Sequence, residues 1–132
     1  MFSIANSGAT TMSLVSSNWN LATASSDGGF ARIGGTTSDV TMDSSSSFYN
    51  FGSSTTGGAF RFDSTTSSKF TMKGTSSIDY LSANSKGGTL YFNSPSNYVI
   101  IKGTSTISRS SSVDGGVIYT STIATLVDID IS

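Results

Sequence analysis

The fold is decided by residues 57–86, which read GGAFRFDSTTSSKFTMKGTSSIDYLSANSK. Two glycines open this stretch, and three short apolar runs follow, marked by Phe60 and Phe62, by Phe70 and Met72, and by Ile78. Apolar residues that alternate with polar ones are typical of half-buried β-strands. Small polar residues of the kind that favour turns fill the intervals. The stretch therefore predicts three short strands joined by polar turns.

This unit recurs along the chain. Gly-Gly pairs begin at Gly28, Gly57, Gly87 and Gly115, with spacings of 29, 30 and 28 residues. The first 27 residues carry the same runs without the glycines, and the last copy carries two of the three runs. A fixed period of about 20–50 residues indicates a solenoid, in which a unit buries its apolar side only by stacking on its neighbours.

We therefore predict one all-β domain over residues 1–132, a single-stranded parallel β-helix. It should contain about 4.5 coils of 28–30 residues with three short strands per coil. The coils are expected at approximately 1–27, 28–56, 57–86, 87–114 and 115–132. A β-sandwich also has short strands at regular intervals, but it does not need Gly-Gly pairs at a nearly constant spacing.

Charged residues at outward positions support this register. If each residue lies beside the one 28–30 positions later, three pairs of opposite charge become neighbours: Asp39 with Lys69, Asp43 with Lys73, and Lys102 with Asp130. Opposite charges on paired strands favour the register by about 0.2–1 kcal/mol each. The same register predicts an outward ladder of Arg32, Arg61, Tyr91 and Tyr119, in which Arg61 stacks on Tyr91.

The composition excludes several classes of function. The chain has 30 Ser and 18 Thr but no Glu, Gln, His or Cys, and its net charge is −1. Zinc fingers, disulfide frameworks and catalysis by His or Cys are therefore excluded. A charge near zero gives no electrostatic footprint for nucleic acid, and no stretch has the length and apolar character of a membrane span. We expect no cofactor, no metal site, no nucleic-acid partner and no membrane insertion.

The acidic residues offer little support for an enzyme. All eight are Asp, and the nearest pairs by spacing are Asp39 with Asp43 and Asp128 with Asp130. A glycosidase of the paired-carboxylate type needs two acids that face one cleft. Both pairs fall on outward positions with lysines beside them, so we expect a solvated face, no catalytic residues and no enzyme activity.

One element of the repeat is similar to a known family. Residues 81–90 read LSANSKGGTL, residues 57–60 read GGAF, and residues 115–118 read GGVI. This pattern resembles the repeats of polymorphic outer membrane proteins, which pair a Phe-x-x-Asn element with a Gly-Gly-Ala-Ile-like element; Leu81 here takes the place of the Phe. The resemblance implies a right-handed β-helix on a secreted or surface-displayed chain, often adhesive, and it implies no catalytic residues.

The two ends of the predicted solenoid show no cap in the sequence. Open end strands invite head-to-tail contact, which does not close on itself and builds a filament. The expected interface residues are Phe2, Ile4, Met12 and Leu14 at one end and Ile118, Val127, Ile129 and Ile131 at the other. Our leading hypothesis is a structural protein that stacks end to end as a homopolymer into an extracellular filament or surface layer.

Two other hypotheses remain open at this stage. The chain is either a glycan- or protein-binding fragment of a larger surface adhesin, whose exposed Tyr49, Tyr91 and Tyr119 contact sugars, or an ice-binding protein. The ice-binding hypothesis needs flat Thr arrays, and although Thr41 and Thr71 stack in the predicted register, Ile100 follows them. All three hypotheses place the protein outside the cell or at the cell surface.

Overall fold

The computed structural model describes residues 2–5, 7–121 and 124–130, and these form an all-β structure without a helix. Side chains are not described for residues 21–22 and 124–130. The strands are β1 (Phe2–Ile4), β2 (Ala9–Val15), β3 (Asn18–Ala24), β4 (Ala31–Asp43), β5 (Ser47–Ser53), β6 (Phe60–Met72), β7 (Ser77–Ala83), β8 (Leu90–Phe92), β9 (Ser96–Lys102), β10 (Thr106–Ser111), β11 (Ile118–Thr120) and β12 (Ala124–Asp130).

The strands form two parallel sheets in which each strand pairs with its counterpart one repeat away. One sheet has eight strands, with β1 and β2 on β4, then β6, then β8 and β9, then β11 and β12. The other has four strands in the order β3, β5, β7, β10. The prediction of a parallel β-solenoid is confirmed, with about four turns.

The second and third coils differ from the prediction in one respect. There the first two predicted runs form one continuous 13-residue strand, β4 in one coil and β6 in the next. The register between these strands shifts between Gly35 and Thr37. One extra residue on β6 creates this irregularity, and a bulge of this kind bends a strand without ending it. The bend lets a single strand cover two sides of the coil.

The core is a column of apolar side chains that runs along the solenoid axis. Inward residues of β4 and β6 are fully buried, as are their counterparts in β5, β7 and β8: Ile33, Val40, Met42, Phe48, Phe60, Phe62, Phe70, Met72, Ile78, Leu90 and Phe92. Rings from neighbouring coils touch, with 5.5 Å between the centroids of Phe48 and Phe60 and 4.6 Å between those of Phe62 and Phe92. Burying a side chain of this size stabilises a fold by about 1.5–3 kcal/mol.

The Gly-Gly pairs have two separate roles at each turn. Gly57 has φ +65°, a left-handed conformation that side chains disfavour. Gly58 lies so close to the next coil that a Cβ atom there would be 1.9 Å from the carbonyl oxygen of Gly88. The other pairs show the same division of roles at Gly28 and Gly29 and at Gly87 and Gly88. The pairs therefore set how closely successive coils approach each other.

The outward charges lie in the predicted register. Lys69 Nζ is 2.9 Å from Asp39 Oδ2, and Lys73 Nζ is 2.9 Å from Asp43 Oδ2. Asp130 is aligned with Lys102 on the neighbouring strand. These exposed pairs contribute little stability each, since exposed ion pairs contribute about 0–1 kcal/mol, but they favour this alignment over a shifted one.

The second glycine of a Gly-Gly pair gives a direct test of the stacking. We expect Gly58→Ala to lower the free energy of unfolding by about 1–3 kcal/mol or more, because the new methyl group must push two coils apart. Gly8→Ala is the matched control, since a Cβ atom there meets nothing within 4 Å. Urea unfolding followed by circular dichroism measures both variants. Equal stability of the two variants would show that the close approach at Gly58 does not limit the spacing of the coils.

Candidate functional site

The predicted outward ladder forms one continuous row across four coils. Arg32 is aligned with Arg61, Arg61 with Tyr91, and Tyr91 with Tyr119. The first two members are cationic and the last two are aromatic, so the row changes chemistry halfway along the solenoid. Strand pairing alone aligns the four side chains, because residues on parallel strands in register point to the same side.

Arg61 is the most tightly held member of the ladder. Its Nη1 atom lies 2.7 Å from Asp27 Oδ2 and donates to Thr56 Oγ1 at 3.0 Å, while its Nε atom lies 2.9 Å from Asp63 Oδ2. Burial lowers the pKa of Arg61, but the charges of Asp63 and Asp27 outweigh burial and raise it. The guanidinium therefore links three successive turns of the chain as a permanent cation.

Asp27 is positioned by the turn that precedes the first Gly-Gly pair. It accepts hydrogen bonds from the hydroxyl groups of Thr55 and Thr56, the latter at 2.7 Å, and it pairs with Arg61. Burial raises the pKa of Asp27, but the hydrogen bonds from Thr55 and Thr56 and the charge of Arg61 outweigh burial and lower it. The carboxylate is therefore stabilised in its ionised form and is poorly suited to act as a general base.

The ring of Tyr91, in the aromatic half of the ladder, is covered on both faces. The rings of Tyr91 and Tyr119 stack with centroids 5.5 Å apart and an interplanar angle of 5°. The guanidinium carbon of Arg61 lies 5.0 Å from the Tyr91 centroid, on the strand at the opposite side of Tyr91 from Tyr119. Lys86 Nζ donates to the Tyr119 hydroxyl at 2.9 Å. Both faces of Tyr91 are thus covered, and a ring with covered faces offers no platform for a sugar.

The carboxylate pairs chosen from the sequence do not face a cleft where they are described. Asp39 and Asp43 each form an ion pair with a lysine of the next coil. The side chains of Asp128 and Asp130 lie outside the described part. Among the side chains that the structure describes, no group of three or more acidic residues is placed to hold a metal ion.

The structure reveals a second row of outward residues, of which the sequence analysis identified only Tyr49. In the four-stranded sheet, Asn50, Tyr80 and Arg109 have φ values of 59°, 62° and 47°. A left-handed residue inside a strand turns two consecutive side chains outward, here Tyr49 with Asn50 and Asp79 with Tyr80. We call Tyr49, Asn50, Tyr80 and Arg109 the corner row.

A sequence signal for the corner row exists. Buried residues in these strands are three positions apart, as in Phe48 and Phe51 and in Ile78 and Leu81, whereas a regular strand alternates every second residue. This break in the alternation marks the positions where two consecutive residues point outward.

The corner row is exposed and aromatic. The rings of Tyr49 and Tyr80 are 6.1 Å apart between centroids, and the guanidinium carbon of Arg109 lies 5.2 Å from the Tyr80 centroid. Arg109 Nε donates to Asp79 Oδ1 at 2.8 Å. The hydrogen bonds from Arg109 and Ser108 lower the pKa of Asp79 to about 2. A groove of about 400 Å³ runs beside Tyr80 and Arg109.

The predicted interface residues lie in the end coils. Phe2 is 50% exposed, Ile4 and Met12 are half-buried, and Leu14 is buried. The ring of Phe2 contacts those of Trp19 and Phe30, at 6.2 and 5.3 Å between centroids. At the other end Ile118 is half-buried. Val127 and Ile129 belong to β12 with only their backbone described, and Ile131 lies outside the described residues.

Comparison with protein-family models, with curated proteins and with solved structures gave no significant match. In the part of the chain that the structure covers, no helix has the length and apolar character needed to cross a membrane.

Arg61 and Arg32 provide a matched pair for testing the ladder. Both contact Asp63, but the Arg61 side chain is 17% exposed and that of Arg32 is 48% exposed. We expect Arg61→Ala to lower the free energy of unfolding by about 1.5–3 kcal/mol, because two carboxylates lose a shielded, charged hydrogen-bond donor. Arg32→Ala should cost less than about 1 kcal/mol. Urea denaturation measures both, and equal losses would contradict the central role of Arg61.

Acid should destabilise the fold through the lowered carboxyl pKa values. A carboxyl whose folded pKa lies below its unfolded value stabilises the fold above the unfolded pKa, and this contribution is lost as the pH falls through the folded pKa. Asp27 and Asp79 are such groups. The free energy of unfolding should therefore be nearly constant from about pH 7 to 5 and fall from about pH 4 to 2.

Asp27→Asn isolates one of these carboxyls. The variant should be less stable than the wild type at pH 7, and the difference should shrink as the pH falls towards 2, because wild-type Asp27 then loses its charge as well. Urea unfolding at a series of pH values measures the difference. A difference that stays constant with pH would show that the charge of Asp27 does not stabilise the fold.

Proposed function

We propose that this protein is a structural β-solenoid unit that stacks end to end into an extracellular filament or surface layer. The observation that carries the proposal is the first coil, where an apolar surface and the open edges of three strands lie together. Phe2 is 50% and Trp19 is 37% exposed, although the rings that continue the same column, Phe30 and Phe48, are buried.

The open edges support assembly by sheet continuation. Among the described strands, β1, β2 and β3 pair on one side only, and β10, β11 and β12 do the same at the other end. Unpaired N–H and C=O groups along such an edge act as a template for another strand. A contact between the last coil of one copy and the first coil of the next is heterologous and builds an open chain of subunits.

The interface that follows from this mechanism contains the residues chosen from the sequence. The proposed contact has Phe2, Ile4 and Met12 at one end, with Leu14 buried in the same coil, and Ile118, Val127, Ile129 and Ile131 at the other. Covering the exposed part of Phe2 and Trp19 would add favourable burial at about 25 cal/mol per Å² of apolar surface. The strand pairing would supply the direction and register of the contact.

The distribution of charge also supports a scaffold. The ion pairs of Asp39, Asp43 and Asp79 each connect one coil to the next, with Lys69, Lys73 and Arg109 as the respective partners. Charges used in this way align coils along the axis and are already neutralised by their partners. A surface layer of stacked solenoids needs this internal alignment more than it needs a ligand-binding charge.

The second candidate is a binding module of a larger surface adhesin, with glycan or protein as the ligand. The corner row favours it, because Tyr80 is exposed beside a groove and Tyr49 is exposed next to Tyr80, whereas the ring faces of Tyr91 are covered. The family proposal belongs here too: the likeness to polymorphic outer membrane protein repeats rests on the Gly-Gly turns, and it suggests display at the cell surface.

Negative-stain electron microscopy beside light scattering tests the leading proposal on the purified chain at neutral pH. We expect filaments of regular width, with lengths that increase with protein concentration. Phe2→Lys should abolish or strongly shorten them, because a charge would have to be buried in the apolar contact.

Tyr98→Lys is the matched control for this experiment. Tyr98 is 41% exposed but lies on the side of the solenoid, in the middle of β9. The Tyr98→Lys variant should therefore form filaments like those of the wild type. A wild-type chain that stays monomeric at every concentration would contradict end-to-end stacking and favour the binding module, which a glycan array with Tyr80→Ala then tests.

A further inference from the structure

Tyr49 and Tyr80 form an exposed pair of phenol rings on neighbouring coils. Tyr49 is 42% and Tyr80 is 53% exposed. Their ring centroids are 6.1 Å apart and the ring planes are tilted by 35°. Exposed side chains change rotamer within picoseconds to nanoseconds, so small rotations bring an ortho carbon of one ring to that of the other. The coils themselves hold the two Cα atoms in place through the pairing of β5 with β7.

The other tyrosines with described side chains lack this combination. Tyr91 and Tyr119 are half-buried, and Lys86 holds the Tyr119 hydroxyl through a hydrogen bond, which restricts the movement of that ring. Tyr98 is exposed to a similar degree as Tyr49, but no aromatic ring contact involves it within the described residues.

We propose that Tyr49 and Tyr80 are a site of oxidative cross-linking, at which a dityrosine bond joins β5 to β7. A one-electron oxidant, such as a haem peroxidase with hydrogen peroxide, removes one electron and the phenolic proton from each ring. The two radicals couple through their ortho carbons. Each coupled ortho carbon then releases its hydrogen as a proton, and each oxygen regains one. The net change is the loss of two hydrogen atoms, which reduce one peroxide to two waters.

Arg109 is a positioning residue for this reaction. Its guanidinium lies over Tyr80 and is held by Asp79, so it limits the directions in which the Tyr80 ring can turn. Tyr49 is aligned with Asp79 on the neighbouring strand, which places it diagonally beside Tyr80. The arrangement keeps the Tyr80 ring on the side of Tyr49.

The cross-link would join two coils of this chain by a covalent bond between side chains. The sequence has no cysteine, so no disulfide can join its coils. A bond between residues 49 and 80 closes a loop of about one coil, and closing a loop reduces the conformational freedom of the unfolded chain. The proposal concerns a single chain and does not depend on end-to-end stacking.

The experiment treats the full-length chain with a haem peroxidase and hydrogen peroxide at low protein concentration. We expect a monomeric species that has lost two hydrogen atoms in its intact mass and shows dityrosine fluorescence. Trypsin should then release peptides 33–61 and 74–86 as one linked species, since these contain Tyr49 and Tyr80. The midpoint of thermal unfolding should rise in the cross-linked monomer.

Conservative variants separate this pair from other tyrosines. Tyr49→Phe and Tyr80→Phe each keep the ring and should lose the linked peptide entirely, whereas Tyr98→Phe is the matched exposed control and should keep it. Linked peptides that survive in Tyr80→Phe, or cross-links that form only between chains, would overturn the proposal. Filament formation by the untreated chain is measured separately, so the failure of one proposal does not hide that of the other.

Discussion

Close approach of the backbone between successive coils is the constraint on which the rest of the structure depends. Parallel strands pair at about 4.8 Å, so every coil must repeat that rise at every turn. At Gly58 the next coil lies where a Cβ atom would be, 1.9 Å from the carbonyl oxygen of Gly88. Glycine is therefore a steric requirement at Gly29, Gly58 and Gly88, and the glycine before each of them supplies the left-handed turn.

Stacking at a fixed rise arranges side chains in rows along the axis. Inside, the rows become an aromatic column in which Phe30, Phe48 and Phe60 contact one another. Outside, they become rows of charges and stacked rings, and the ion pairs of Asp39, Asp43 and Asp79 join neighbouring coils. Asp63, for example, forms ion pairs with both arginines of the ladder, Arg32 and Arg61.

The same constraint explains why the two proposals involve different parts of the molecule. The end-to-end proposal rests on the first coil, where the described strands pair on one side only and the rings of Phe2 and Trp19 are partly exposed. The corner row arises because a left-handed residue turns two consecutive side chains outward, which brings tyrosines of adjacent coils together in solvent. The end-to-end proposal depends on the end coils, and the cross-linking proposal depends on the sides of the solenoid.

Much of this architecture could be predicted from the sequence, and the rest depended on contacts between coils. The spacing of the Gly-Gly pairs predicted the parallel stacking, and the register followed, so Arg61 could be placed beside Tyr91 and Lys69 beside Asp39. These predictions rest on a local pattern and one repeat length. Tertiary structure decided three other features: the continuous strand β4, the ion pairs of Arg61 with Asp27 and Asp63, and the contact between the rings of Tyr49 and Tyr80. The bulge on β6 and the contacts of Arg61 with Asp27 and Asp63 depend on how residues of different coils meet, which a pattern of apolar residues does not determine. The spacing of Phe48 and Phe51 marks the outward positions of the corner row, but the contact between the two tyrosine rings depends on their side-chain conformations.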